Sequence, residues 1–115
     1  MLDFTEFQEL NNRRCKEGFG HNLDSWSLLE WGGATAGEIG EACNKAKKLM
    51  RFRDGIKGNK EYDTYDQLRL EMGKEIADGI VYGFLWVSAA GLNMEELIRE
   101  VFNKKSEEIG SDIKV

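Results

Sequence analysis

A chain of 115 residues with 41% apolar and 32% charged residues has the balance of one soluble globular domain rather than of a disordered chain. Its formal net charge of −5 argues against a general nucleic-acid binder, because phosphate contacts need a basic surface. Two cysteines, Cys15 and Cys43, are too few for a disulfide scaffold and lack zinc-ligand spacing; they read as reduced thiols of a cytoplasmic protein, Cys15 near the surface and Cys43 in the core.

The opening MLDFTEFQEL has neither a basic start nor a continuous apolar core and does not read as a signal peptide. A first helix is expected over about Asp3–Glu17, with Phe4, Phe7 and Leu10 on one side, ending before GFGHN. His21, in that turn, has no carboxylate or cysteine neighbour and takes a surface or capping role. The second helix starts near Ser25, where Ser27 and Glu30 have capping-box spacing, and continues to about Phe52. Trp26 lies at its start, and Trp31 flanks its core face. A loop follows, RFRDGIKGNKEYD, with glycines and a run of basic residues. The third helix begins at Thr64, with Gln67 three residues on, and stops at Gly91. Its apolar run Ile76–Leu92 holds Trp86, for core or subunit-interface packing, but it carries Asp78 and is shorter than the roughly 20 residues of a membrane span. No membrane partner is expected. The fourth helix opens at Asn93, paired with Glu96, and fades near Gly110. Zero prolines and 13 glycines suit long helices with glycine-marked ends.

Helices two and three, of roughly 25 residues, would each be about 38 Å long, against about 35 Å for the diameter of a compact globule of this size. Two helices that span the molecule mean an all-α, four-helix bundle-like single domain over residues 1–115, with two long central helices. A bundle this small and long-limbed completes its core with a second chain, so a homodimer or homotetramer is expected.

On helix two, Leu28, Thr35, Ile39, Ala42, Cys43, Ala46 and Met50 share one face at helical spacing. Glu38 and Glu41 fall roughly 100–160° round from its centre. On helix three, Met72, Ile76, Ile80 and Phe84 form the apolar stripe, with Glu75 and Asp78 displaced by about the same angle and Glu71 between them. Each helix thus carries a carboxylate pair at i, i+3 beside its core stripe. Clustered carboxylates repel unless something neutralises them. A hard divalent cation does so best; one histidine and no cysteine cluster make zinc a poor candidate. As ordinary surface residues the same acids would form common pairs such as Glu41 with Lys45.

GEIGEACN (37–44) followed by KEIADGIVY (74–82) resembles the ExxE…ExxD signature of the MazG-like all-α nucleoside triphosphate pyrophosphohydrolases. The resemblance covers roughly Trp26 to Lys105. It implies Glu38, Glu41, Glu75 and Asp78 as ligands of Mg²⁺, with Mn²⁺ a substitute, and Glu38 or Glu41 as the base. Asn103 and Lys105 are similar to an Asn-x-Lys element that contacts substrate phosphate in many members. The chain departs from the pattern in the 33 residues between Glu41 and Glu75, a longer gap than is common, and in Ser106, Glu107 and Glu108 after Asn-x-Lys.

The activity implied is hydrolysis of a nucleoside triphosphate to the monophosphate and pyrophosphate, as in nucleotide-pool cleaning. Lys45 and Lys48, in the basic segment from Lys45 to Lys60, are candidates to receive the β- and γ-phosphates; the remaining cations suit a solvated helix end. Competing readings are the same fold acting on phosphoribosyl-ATP or a modified nucleotide, and a non-catalytic helical interaction or regulatory protein.

Overall fold

The computed structural model describes residues 2–115 and contains four α-helices: α1 (Phe4–Phe19), α2 (Leu28–Asp54), α3 (Tyr65–Ala89) and α4 (Met94–Glu108). A 3₁₀ turn, Leu23–Ser25, precedes α2, and no strand occurs among the described residues. The fold is all-α. No single helix is long and apolar enough to cross a membrane.

Side-chain caps set the helix starts. Asp3 Oδ1 accepts from Glu6 N at 2.7 Å, Thr64 Oγ1 from Gln67 N at 3.2 Å and Asn93 Oδ1 from Glu96 N at 3.0 Å, each satisfying a donor that has no intrahelical acceptor. At the end of α3, Gly91 adopts φ 74°, which lets Gly91 N donate to Ser88 O at 2.9 Å and Leu92 N to Val87 O at 3.1 Å. The other three helices also end at a left-handed glycine, at Gly20, Gly55 and Gly110. Helix α1 runs two residues beyond the expected Glu17, to Phe19.

The chain divides into two compact units, one made of residues up to Leu28 together with Phe84–Val115, the other of Leu29–Gly83. In the first unit, buried Gln8 stitches α1 to the α3–α4 turn. Its Nε2 donates to Ser88 Oγ at 2.8 Å and Leu92 O at 2.9 Å, and its Oε1 accepts from Met94 N at 2.8 Å. Phe7 packs edge-on against buried Phe84 with ring centroids 4.9 Å apart. The inward face of α1 is Gln8, Asn11 and Cys15 with Phe7 at its margin; Leu10, expected there, lies off that face and is exposed.

In the second unit α2 and the first part of α3 run antiparallel, as their contacts show in order: Trp31 with Tyr82, Ile39 with Gly79, Lys45 with Glu71, Phe52 with Tyr65. Trp31, Ala42 and Leu49 of α2 and Leu68 and Gly79 of α3 are buried there. This seam lies roughly 70–90° round each helix from the apolar stripe, on the side of the carboxylates. The expected core positions Ile39, Met50, Ile76 and Ile80 are therefore exposed, by 41%, 39%, 40% and 53%. Trp86 is likewise exposed rather than a core residue. The same rotation leaves Cys43 exposed rather than in the core. Cys15, expected near the surface, is buried on the inward face of α1.

Candidate metal centre

Midway along the α2–α3 seam, Gly79 faces the side chains of Ile39 and Glu38 on α2. A Cβ at that position would lie 2.7 Å from Ile39 Cδ1 and 3.7 Å from Glu38 Cβ. The turn of α2 that bears Glu38 and Glu41 thus lies against the turn of α3 that bears Glu75.

One carboxylate oxygen from each of Glu38, Glu41 and Glu75 lies within 4.8 Å of the others. Glu38 and Glu75 are half-buried and Glu41 is exposed. Asp78, the fourth expected ligand, stands outside this group on an exposed face of α3, and it reaches Glu41 only through its charge. Glu75 holds Glu41 above the ordinary carboxylate range, first as a hydrogen-bond partner and then as a like charge. Desolvation by the neighbouring groups and the charge of Asp78 push the same way, while the hydrogen bond with Glu38 opposes them.

The donor set suits a hard cation. It is all oxygen, and around an octahedral Mg²⁺ adjacent oxygens lie about 3.0 Å apart and opposed ones about 4.2 Å, so the side chains would move inward to close on one ion. Sulfur and imidazole, the donors typical of zinc sites, are absent from it.

One turn from the triad, Lys45 Nζ meets Glu71 Oε2 at 3.0 Å, both side chains being partly buried. Gln67 Nε2 donates to Glu71 Oε1 at 3.2 Å. Gln67 and Lys45 together hold the Glu71 carboxyl below its ordinary value. The expected Glu41–Lys45 pair is thus replaced by one across the helices, which helical spacing within α2 could not reveal. Lys48 is half-buried; its backbone carbonyl accepts from Asn59 Nδ2 at 2.9 Å, which ties the basic loop to α2.

Asn103 and Lys105 belong to the other unit and engage neighbours there. Asn103 Nδ2 donates to Val115 O at 2.9 Å and its Oδ1 accepts from Val115 N at 2.8 Å, while Lys105 pairs with Glu108 at 2.7 Å. Glu71 lies within the acidic stripe read on helix three, but its pairing with Lys45 does not follow from spacing within one helix. Gly79 is the position whose part in the site the sequence did not disclose; a glycine inside a long helix, where it costs about 1 kcal/mol against alanine, was the available signal. The chain matches no protein-family model, no curated protein and no solved structure.

Proposed function

We propose that this protein is a divalent-cation-dependent hydrolase of the MazG-like type, a helical bundle that cuts nucleoside triphosphates to the monophosphate and pyrophosphate. The convergence of Glu38, Glu41 and Glu75 on one point of the α2–α3 seam carries the reading. A Mg²⁺ or Mn²⁺ ion held by these carboxylates would supply charge neutralisation for the triphosphate. Asp78, close enough to act on Glu41, completes the acidic rim.

Glu41 is the general base. Its ionised form takes the proton from the water that attacks the α-phosphorus. The new phosphorus–oxygen bond forms as the bond from the α-phosphorus to the oxygen bridging to the β-phosphorus breaks, and pyrophosphate leaves. Lys45 and Lys48 stand on α2 beyond Glu41 and supply cations toward the β- and γ-phosphates; Lys45 would exchange Glu71 for phosphate.

The functional assembly is a homo-oligomer of two or four chains, because Ile39, Ile76 and Ile80 are exposed beside the carboxylates. The free thiols Cys15 and Cys43 fit a cytoplasmic setting.

Product analysis tests the activity. Incubation with ribo- and deoxyribonucleoside triphosphates and Mg²⁺ is expected to give monophosphate and pyrophosphate, and EDTA to abolish both. Diphosphate with phosphate would place the attack at another phosphorus. The Asn103–Val115 and Lys105–Glu108 contacts favour a second reading, a non-catalytic helical interaction protein. It predicts no turnover of any nucleotide and no effect of Mg²⁺ on the melting temperature.

A further inference from the structure

In the first unit a cleft of about 550 Å³ opens between α1 and the connection into the 3₁₀ turn. Asn12, Arg13 and Lys16 of α1 line it, facing His21, Asn22 and Asp24. None of these residues belongs to the carboxylate centre. Asn12 and Lys16 are four residues apart and so share one face of α1. Asn12 Oδ1 is buried and has no hydrogen-bond partner. A buried acceptor of this kind calls for a donor. Lys16 has no ion-pair partner among the described residues, and Arg13 meets only Glu17, at 3.6 Å with both side chains largely exposed. The cleft therefore offers two cationic groups, one orphaned acceptor and one carboxylate, Asp24.

A ligand that satisfies all four carries an anionic group for Arg13 and Lys16 and hydroxyl donors for Asn12 Oδ1 and Asp24. A compact inorganic anion meets the cations but has at most the P–OH of phosphate to offer the two acceptors. A neutral polyol does the reverse. We propose that this cleft is a binding site for a small hydroxyl-bearing phosphate monoester of pentose-phosphate size. The site is independent of the hydrolase reading: it lies on other residues and needs no metal.

The test uses the full chain and follows backbone amide resonances in two-dimensional ¹H–¹⁵N spectra during titration with ribose 5-phosphate, inorganic phosphate or ribose. Ribose 5-phosphate is expected to shift the resonances of residues 12–24 saturably, with a Kd on the order of 1 mM. Phosphate and ribose are each expected to bind several-fold more weakly. Lys16→Ala is expected to weaken ribose 5-phosphate about tenfold, the loss of one charge-assisted contact. Asn12→Leu, similar in shape but without the acceptor, is expected to weaken binding while holding or raising the melting temperature. A purely structural Asn12 would lower it. The proposal is overturned by the absence of saturable shifts in 12–24, by ribose or phosphate binding as tightly as the ester, or by affinity that survives Lys16→Ala.

Discussion

Glu41 faces Glu75 across the seam, and first the hydrogen bond between them and then the like charge make its ionised form costly in the folded chain. The sign of the pH dependence follows. A carboxyl raised above its unfolded value of 4.5 contributes stability at pH below that value and loses it as pH rises through the higher folded value. Glu41→Gln removes this loss, so the variant is expected to melt at or above the wild-type temperature at neutral pH and to show a flatter decline with rising pH. Its turnover is expected to fall at least about 100-fold, the usual contribution of a general base. It should also lose the Mg²⁺-dependent rise in melting temperature. Full turnover in Glu41→Gln would remove Glu41 from the mechanism. The cysteines give a second check at this scale. Cys43 is exposed, whereas Cys15 is buried with Sγ donating to His21 O at 3.1 Å, and burial raises its pKa. A thiol reagent is expected to modify Cys43 fast and Cys15 only on unfolding; equal rates in the native protein would contradict the burial of α1's inner face. The sequence reading had the two cysteines reversed, because it ranked each by its apolar neighbours on its own helix. Burial depends instead on which face the next helix covers.

The helices themselves were legible because their ends are written in local chemistry. Asp3, Thr64 and Asn93 cap as single side chains can, and Gly91 stops α3 where a left-handed residue is needed. Thr64→Ala and Asn93→Ala are each expected to cost about 1 kcal/mol in urea denaturation. Gly79 is a different case, since its role depends on another helix. Gly79→Ala places a methyl group 2.7 Å from Ile39 Cδ1, the end of a partly exposed side chain that can rotate away. Alanine's helix preference of about 1 kcal/mol offsets that clash, so the net change in stability is expected to stay within about 1 kcal/mol. Gly79→Leu has less escape, because its bulk extends past Ile39 toward Glu38, whose Cβ lies 3.7 Å from a Cβ at this position. It is expected to keep the helical circular dichroism signal and lose the Mg²⁺ effect on melting. A Gly79→Leu chain that still responds to Mg²⁺ would show that the α2–α3 approach does not assemble the carboxylates.

At the scale of the whole chain, the pairing of acids on α2 and α3 was readable from spacing, and the direction in which the two helices face each other was not. Amphipathic periodicity marks a stripe as apolar; it does not say what covers it. Here the buried seam takes Ala42, Leu49, Leu68 and Gly79 along with Glu38, Lys45, Glu71 and Glu75, and leaves Ile39, Met50, Ile76 and Ile80 exposed. Lys45 and Glu71 can occupy the seam because each neutralises the other, and a cation would do the same for the triad. The uncovered isoleucines on α2 and α3 form the kind of apolar surface that a monomer seldom presents to water. Burying the remaining exposed part of each side chain against a second copy is worth about 1 kcal/mol. Wild-type protein is accordingly expected to sediment as a dimer or tetramer. Ile80→Glu, which touches no buried residue's place in the chain, is expected to shift it to monomer with helical content preserved. Wild-type protein that sediments as a monomer across the micromolar range would mean that these isoleucines are covered by no second copy.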